Sequence, residues 1–328
     1  MRLVVQTYGT RLSLDNGMVV VETDAAKEEI SLLHLTSIHI QTNARISSAL
    51  IEACIRSQIP VFLETDLHIT AMIWAARYGS FARIRRKQAL FSYARLKYEL
   101  IKRILLNKNR QRLAWLKRHT RRPGLQELMD RIEQINRQIA QAPPDDQSLR
   151  TLEAHSSKRY FEILKHILPA PFRFEKRTHR QSRDPFNVLL NYTYGMLYNE
   201  ITKAAIFAGL DPDLGFFHAP QYNRPALSFD LIENYRPWGE QWLYELVKSS
   251  DFAAHRPCID DEGRILPPAK KALITHMTVR LEQTRMRYKN RVRTPVTHIQ
   301  LDTQQLASYL LGFTDRQLLE NIQPPSHE

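Results

Sequence analysis

The sequence predicts an α+β protein, with a small β-sheet domain at the N-terminus and a larger all-helical domain after it. The first eighty residues contain short β-branched apolar runs separated by turn residues. From about Tyr78 onward, apolar residues recur at intervals of three and four, as on one face of a helix. A chain of 328 residues is long enough for two domains with separate cores. We therefore place the domains at 1–80 and 81–322 and expect a disordered tail at 323–328.

The strand-rich segment begins with a hairpin. Leu12–Leu14 and Met18–Val21 flank Asn16-Gly17, and Asn-Gly is a strong signal for a two-residue hairpin turn. A short helix capped by Ser47-Ser48 is expected over Ala49–Arg56. The remaining strands are predicted at Ile30–Leu35, Ile38–Ile40, Ile59–Leu63 and Leu67–Ile73.

The helical segment shows its boundaries through caps and prolines. No proline occurs between Pro60 and Pro123, which permits one or two long helices there. Asp184-Pro185 predicts a helix start, and Gly209 predicts the end of the same helix. Three further helices are predicted over 125–139, 269–291 and 303–311. Another begins at Ser148 and carries Glu153 in its early turns. A fifth carries Asp230 and Glu233 and ends or kinks at Arg236-Pro237.

The charge of the chain favours a polyanionic partner. The formal net charge is +13 and the isoelectric point is near 9.8. From Arg77 to Arg122 there are sixteen lysines and arginines against one acid, Glu99, and from Ala269 to Thr294 there are eight against Glu282. Any single residue of these runs fits an ordinary solvated helix face, but together they favour a surface that contacts phosphates. A shorter basic cluster comprises Arg173, Lys176, Arg177, Arg180 and Arg183.

Composition also limits the cellular setting. Two cysteines, Cys54 and Cys258, form neither a disulfide framework nor a Cys-x-x-Cys metal pair, which favours a reducing compartment. The N-terminus lacks the pattern of a signal peptide, and no apolar run approaches the length needed to span a membrane. We therefore expect a cytoplasmic protein without a membrane partner.

The densest chemical pattern lies between residues 215 and 237. The segment Gly215-Phe-Phe-His218 is followed by two carboxylates three residues apart, Asp230 and Glu233. Residues three apart on a helix share a face, so both carboxylates are predicted to point toward one spot with the imidazole. This donor set suits a hard divalent ion such as Mg²⁺ or Mn²⁺. Considered singly, each of these residues also fits a packed or solvated structural role.

Four linked motifs occur in the helical segment. They are Glu153-Ala-His-Ser-Ser-Lys-Arg159-Tyr-Phe161, Arg180-Gln-Ser-Arg183-Asp-Pro-Phe-Asn187 with its continuation to Gly195, Ala208–His218, and Ser228–Pro237. Together they resemble the motifs of the CRISPR-associated adaptation integrases, the universal "Cas-one" endonuclease family. The resemblance runs in order from residue 1 to about 312 and implies an N-terminal β-domain followed by a helical domain. Shorter matches occur at Ile30–Leu35, Gln58–Phe62, Arg83–Gln88 and, more loosely, Lys108–Gln111.

The resemblance implies a set of site residues. Its metal ligands correspond to Glu153, His218 and Glu233, with Asp230 as a second acid near the metal. The last ligand is more often aspartate in the family, whereas this chain has glutamate at 233. Residues expected to contact DNA are Arg83, Arg85, Arg86, Arg159, Arg180, Arg183 and Arg236.

The reaction implied by the resemblance is the insertion of short foreign DNA into a CRISPR array. A 3′-hydroxyl of the incoming duplex attacks an array phosphodiester, with Mg²⁺ or Mn²⁺ bound. The implied assembly is a homodimer formed through the β-domain, joined to double-stranded DNA and to a small ferredoxin-like partner protein. Two other functions stay open: a non-catalytic DNA-binding scaffold, and a general nuclease for branched DNA.

Overall fold

The computed structural model describes residues 1–65, 68–73, 81–120, 123–179, 182–218 and 225–322. Two compact units divide the chain, Met1–Gly79 and Ser80–Glu328. The first is rich in strands and the second is mostly helical, so the predicted fold class is confirmed. Arg180, Leu67 and the predicted tail lie outside the described residues. No helix in the described ranges is long and apolar enough to cross a membrane.

The described residues of the first unit form two four-stranded sheets and one α-helix. Their order in the chain is β1 (Arg2–Val5), β2 (Arg11–Asp15), β3 (Met18–Glu22), β4 (Lys27–Ser31), β5 (Ser37–Ile40), β6 (Arg45–Ile46), α1 (Ser48–Arg56), β7 (Val61–Thr65) and β8 (His68–Ile73). One sheet has the strand order β1-β5-β7-β8 and the other β4-β3-β2-β6. Leu12, Val19, Ile38, Leu50 and Val61 are buried in a common core.

In this unit the predicted hairpin and helix cap are confirmed, and one predicted strand is wrong in part. The hairpin of β2 and β3 is confirmed, with Asn16 and Gly17 at φ values of 47° and 78° as an Asn-Gly turn requires. The Ser47 side chain accepts a hydrogen bond from the Leu50 amide and caps α1 as predicted. The strand expected over Ile30–Leu35 is wrong beyond Ser31, because a 3₁₀ turn over Leu32–His34 ends it.

The second unit consists of eleven described helices and one short hairpin. They are α2 (Phe81–Tyr93), α3 (Lys97–His119), α4 (Pro123–Gln141), α5 (Asp146–Ile167), α6 (Pro185–Phe207), α7 (Ala226–Ile232), α8 (Arg236–Lys248), α9 (Ser250–Ala253), α10 (Pro267–Thr278), β9 (Met286–Tyr288), β10 (Arg291–Arg293), α11 (Pro295–Leu311) and α12 (Asp315–Leu319). A 3₁₀ turn over Ala170–Phe172 precedes α6, and a π-helical turn over Val279–Gln283 extends α10.

Helix boundaries in this unit confirm some predictions and correct others. Asp184 caps α6 by accepting a hydrogen bond from the Asn187 amide, and Gly209 follows the helix with a φ of 78°. Asp145, rather than Ser148, caps α5, so Glu153 lies in the third turn and not near the helix start. The predicted break near Arg236-Pro237 is present: α7 ends at Ile232, and α8 begins at Arg236 with Pro237 in its first turn.

The two C-terminal helices differ most from their predicted bounds. The helix predicted over 269–291 ends by Gln283, and the rest of that basic run forms the β9–β10 hairpin. Lys289 and Asn290 turn this hairpin with φ values of 46° and 61°. The last predicted helix, 303–311, starts earlier, at Pro295, where the Thr294 side chain accepts a hydrogen bond from the Thr297 amide.

A buried ion pair joins helices that are distant in sequence. Arg112 of α3 donates from Nε to Glu240 of α8 at 3.0 Å, and both side chains are at most 1% exposed. The Tyr194 hydroxyl donates to the same carboxylate at 2.6 Å, and the Arg112 guanidinium lies 4.2 Å from the centre of the Tyr160 ring. Burial alone would raise the pKa of Glu240, but the Arg112 charge and its hydrogen bond outweigh this and lower it. Glu240 therefore stays ionised inside the helical core.

We predict that Arg112→Met lowers the free energy of unfolding by about 3–5 kcal/mol, because it leaves the Glu240 carboxylate buried without its cation. Lys117→Met is the matched control on the same helix, since Lys117 pairs with Glu133 where both side chains are about half exposed. That substitution should cost at most about 1 kcal/mol. Urea titrations of both variants measure the difference, and equal losses would contradict a structural role for the buried pair.

Candidate active site

A buried lysine links the two glutamates that the sequence singled out. Lys108 of α3 donates from Nζ to Glu153 Oε1 of α5 and to Glu233 Oε2, which follows α7, at 2.6 Å in each case. The Lys108 side chain is 0% exposed. The Ser157 hydroxyl donates to Glu153 Oε1 at 2.8 Å. The fold therefore brings Glu153 and Glu233 to one shared ammonium group.

Both glutamates are held in the ionised form. Burial alone would raise the pKa of Glu153, but the charge of Lys108 and hydrogen bonds from Lys108 and Ser157 hold it well below its usual range. The pKa of Glu233 is also lowered, because the Arg236 and Lys108 charges outweigh its burial. Arg236 Nε lies 2.9 Å from Glu233 Oε1, so Glu233 has a cation on each side.

Asp230 organises the turn that carries His218. Asp230 Oδ2 accepts hydrogen bonds from the amides of Phe216 and Phe217 at 2.5 and 3.0 Å. Oδ1 accepts the His218 amide at 2.9 Å and lies 2.6 Å from His218 Nδ1. Because Asp230 Oδ1 serves as the acceptor, this contact favours the tautomer with hydrogen on Nδ1, which leaves the lone pair of Nε2 available. Asp230 is thus a positioning residue for the imidazole.

The requirement for glycine at 215 follows from the same contact. A Cβ at Gly215 would lie 2.8 Å from Asp230 Oδ2 and 2.9 Å from the carbonyl carbon of Ala226. The short Gly-Phe-Phe-His turn therefore packs against α7 only with glycine at its first position. Asp230 and Glu233 bind different partners: Asp230 binds this turn, whereas Glu233 binds Lys108 and Arg236.

The three predicted ligands line one cavity. Glu153, His218 and Glu233 all contribute to a cavity of about 830 Å³ in the helical unit. Among the predicted DNA contacts, Arg159 and Arg236 also lie on its wall, whereas Arg83, Arg85 and Arg86 lie on α2. Further cationic side chains of the wall are Lys158, Lys165, Lys176 and Arg177. His179 also lines the wall, but burial and the Arg177 charge lower its pKa to about 4, so its ring is neutral near pH 7. This is a carboxylate and imidazole centre surrounded by cations, an arrangement suited to a phosphate-bearing substrate.

The family model for CRISPR associated protein Cas1 matches residues 3–278. The chain belongs to this family. A Cas1 relative from Thermus thermophilus, named as a CRISPR-associated endonuclease, is 29% identical over 230 residues, which is 69% of this chain and 67% of the relative. A second such endonuclease, from Saccharolobus solfataricus, is 29% identical over 250 residues, or 75% of this chain and 70% of the relative.

Solved Cas1 structures share the fold. A Cas1 protein from Thermotoga maritima superposes with a TM-score of 0.73 at 18% identity, covering 95% of this chain and 97% of that one. The Cas1-containing chain of a Cas6-RT-Cas1–Cas2 complex gives 0.72 at 21% identity, covering 97% of this chain and 36% of that one. A casposase bound to its integration product gives 0.65 at 17%, covering 94% and 95%.

The donor set of this Cas1 chain fits a hard divalent cation. Glu153 and Glu233 supply carboxylate oxygens, and His218 supplies a ring nitrogen whose partner nitrogen is held by Asp230. In the described residues, however, no three acidic, histidine or cysteine side chains are grouped closely enough to hold one ion as they stand. Lys108 Nζ lies 2.6 Å from one oxygen of each carboxylate, so both glutamates already have a cationic partner within the chain.

Sequence reasoning missed several structural residues of the site. Lys108 and Gln111 belong to a loosely matched motif, and Gln111 donates to the Asn234 carbonyl next to Glu233. Gln88, whose motif suggested DNA contact, is fully buried and donates to the Asp211 and Leu214 carbonyls ahead of the His218 turn. These residues hold the loops that carry the ligands, a role that spacing alone did not indicate.

We predict that Asp230→Ala loosens the His218 turn, because it leaves three backbone amides without their acceptor. The free energy of unfolding should fall by more than about 2 kcal/mol, and exchange of the amide hydrogens at 216–218 should accelerate. Asp213→Ala is the control: Asp213 lies in the same loop region but is exposed, so its stability should change by less than about 0.5 kcal/mol. Unchanged exchange at 216–218 in the Asp230 variant would exclude the positioning role.

Proposed function

We propose that this protein is a metal-dependent DNA integrase and endonuclease of CRISPR adaptation. It inserts short foreign DNA into a CRISPR array through attack by a DNA 3′-hydroxyl on an array phosphodiester. The observation that carries this proposal is the grouping of Glu153, His218 and Glu233 on the wall of one cation-lined cavity. Family membership supports it, as do relatives named as endonucleases and a structural neighbour bound to an integration product.

Glu153, His218 and Glu233 are the residues that would hold Mg²⁺ or Mn²⁺. When bound, such an ion supplies polarisation of the scissile phosphoryl oxygen and a lower pKa for the attacking hydroxyl. The chain contributes orientation, since Asp230 fixes the imidazole and Arg236 fixes the Glu233 carboxylate. Because the DNA brings its own nucleophile, the reaction needs no serine, cysteine or tyrosine of the protein to become covalently modified.

The basic wall of the cavity is suited to hold DNA by its backbone. Lys158 and Arg159 of α5 and Lys176 and Arg177 of the following loop lie beside the carboxylates. Contacts from lysine and arginine to phosphate carry no base information, so binding should be strongly salt-dependent and nearly independent of sequence. With water in place of the 3′-hydroxyl, the same site would act as a nuclease.

Two alternative functions make different predictions. A non-catalytic scaffold would bind DNA without strand transfer. An active centre is favoured because the chain has an acid or a histidine at each expected ligand position and because Asp230 holds the His218 ring. A general branched-DNA nuclease would cleave without any preference for a CRISPR array. Comparing strand transfer into array and non-array targets distinguishes that function from the proposed one.

We predict that Glu153→Gln, His218→Asn and Glu233→Gln each reduce metal-dependent strand transfer by at least about a hundredfold, because each removes a ligand. Duplex binding should persist in all three. Glu162→Gln is the matched control, since Glu162 lies on the same helix and the same cavity wall but pairs with Arg159. It should retain nearly full activity. Full strand transfer by the Glu153 and Glu233 variants would remove the ligand assignment.

We predict that charge reversal of Arg83, Arg85 and Arg86 on α2 weakens DNA binding equally for all sequences and makes the salt dependence of the affinity less steep. A control with the same change in charge reverses Arg56, Arg131 and Arg137, exposed arginines on helices that also carry acids. Fluorescence anisotropy at several salt concentrations measures both slopes. If the α2 variant keeps the wild-type slope, that helix face is only solvated.

The proposed assembly is a homodimer through the β-domain, with two dimers bridged by a dimer of a small ferredoxin-like partner protein. Two 3′ ends must attack two strands a repeat length apart, so one active site cannot reach both. Two-fold symmetry is the commonest way to duplicate a site. A structural neighbour occurs in a Cas1–Cas2 complex, which supports complex formation.

We predict a particle of twice the 38.4 kDa chain mass in solution without DNA, and a larger complex with partner and DNA. Light scattering at micromolar concentration measures the first species. A monomer that still completes both strand transfers would contradict the proposed dimer.

A further inference from the structure

The carboxylates of the candidate metal site already have cationic partners within the chain. Lys108 Nζ bonds both Glu153 and Glu233, and Arg236 lies against the second oxygen of Glu233. Two negative and two positive side chains therefore balance one another. Lys108 has no exposure to solvent, and its ammonium contacts only carboxylates and the Ser157 hydroxyl among the described residues.

A divalent cation would need some of the oxygen atoms that Lys108 now occupies. Glu153 Oε1 and Glu233 Oε2 each lie 2.6 Å from the ammonium, so oxygen atoms that a hard cation would bind already accept hydrogen bonds from Lys108. Two cations sharing these oxygens in a buried setting repel each other strongly. Metal binding must therefore overcome the ion pairs of Lys108, and it adds two positive charges to a group that was neutral.

We propose that Lys108 is an intramolecular counter-ion that positions Glu153 and Glu233 without metal and competes with the divalent cation for them. The affinity for metal is consequently low in the free protein and rises when DNA phosphate brings negative charge into the cavity. This inference rests on the proposed function, since it assumes that the two glutamates bind the metal. By linkage, metal and DNA each raise the affinity of the protein for the other.

The test is Mn²⁺ binding, measured by isothermal titration calorimetry on the full chain with and without a DNA duplex. Lys108→Gln removes the charge and keeps a hydrogen-bond donor. It should tighten Mn²⁺ binding in the absence of DNA by at least about tenfold, because a buried like charge is lost. The gain in Mn²⁺ affinity on adding DNA should also be smaller in this variant than in the wild type.

Lys102→Gln is the matched control for net charge. Lys102 lies on the same helix, pairs with Glu99 and does not line the cavity. Its Mn²⁺ affinity should stay within about twofold of the wild type, since the charge removed pairs with the exposed Glu99 and lies outside the cavity wall. An Mn²⁺ affinity of Lys108→Gln equal to or weaker than that of the control would overturn the proposal.

Thermal unfolding provides a second readout that does not depend on turnover. In chelator, Lys108→Gln should melt at a lower temperature than the wild type, because the Glu153 and Glu233 carboxylates lose the cation they share. Adding Mn²⁺ should raise its melting temperature more than that of the wild type. Lys108→Arg keeps the charge and should show neither the tighter Mn²⁺ binding nor the larger Mn²⁺-induced shift. If Lys108→Gln does not fold, tight Mn²⁺ binding by wild-type protein without DNA overturns the proposal.

The ligand variants separate failure of this inference from failure of the proposed function. If Glu153→Gln and His218→Asn leave Mn²⁺ binding unchanged, the metal site itself is misassigned. If they abolish Mn²⁺ binding while Lys108→Gln fails to tighten it, the site stands and only the competition by Lys108 is wrong.

Discussion

Helix α3 carries two buried cations one helical turn apart, Lys108 and Arg112. Acidic residues from the neighbouring helices neutralise both of them. Lys108 pairs with acids from α5 and from the end of α7, while Arg112 pairs with Glu240 of α8. A buried charge without a partner is far more costly than the loss of an ordinary contact. The register between α3 and its neighbours is therefore set by charge as well as by apolar packing, because sliding any of these helices would separate the pairs.

This constraint also connects stability to the active site. Arg112 Nη1 donates to the Ser157 hydroxyl at 3.1 Å, and Ser157 in turn donates to Glu153. One continuous network thus runs from the core pair at Glu240 to a proposed metal ligand. Networks of this kind polarise and orient their members. Lys108 and Ser157 hold the Glu153 carboxylate, and both belong to the ion-pair network that also stabilises the helical core. The site is therefore ordered without a substrate.

The sequence predicted the parts of the fold that neighbouring residues determine. The turn at Asn16-Gly17 and the helix caps at Ser47 and Asp184 are confirmed. Each of them depends on contacts between residues at most three positions apart. The hairpin of β9 and β10 was missed because its Lys289-Asn290 turn lies inside a basic run that fits a helix, and Lys-Asn is a weaker turn signal than Asn-Gly. In the site, the motifs identified the ligand candidates but not their contact with Lys108. That contact could not be predicted because Lys108 is 45 and 125 residues away in sequence from the two glutamates it binds.

The long basic run contains two classes of cation that composition cannot separate. Lys87, Lys108 and Arg112 are nearly fully buried and pair with acids from elsewhere, so they are not available to phosphate. Exposed members such as Arg83 remain on the surface of the same helices. The sixteen cations counted between Arg77 and Arg122 therefore overstate the charge that faces DNA. Since counterion release depends on the number of phosphates contacted, the salt dependence of binding reflects only the exposed class.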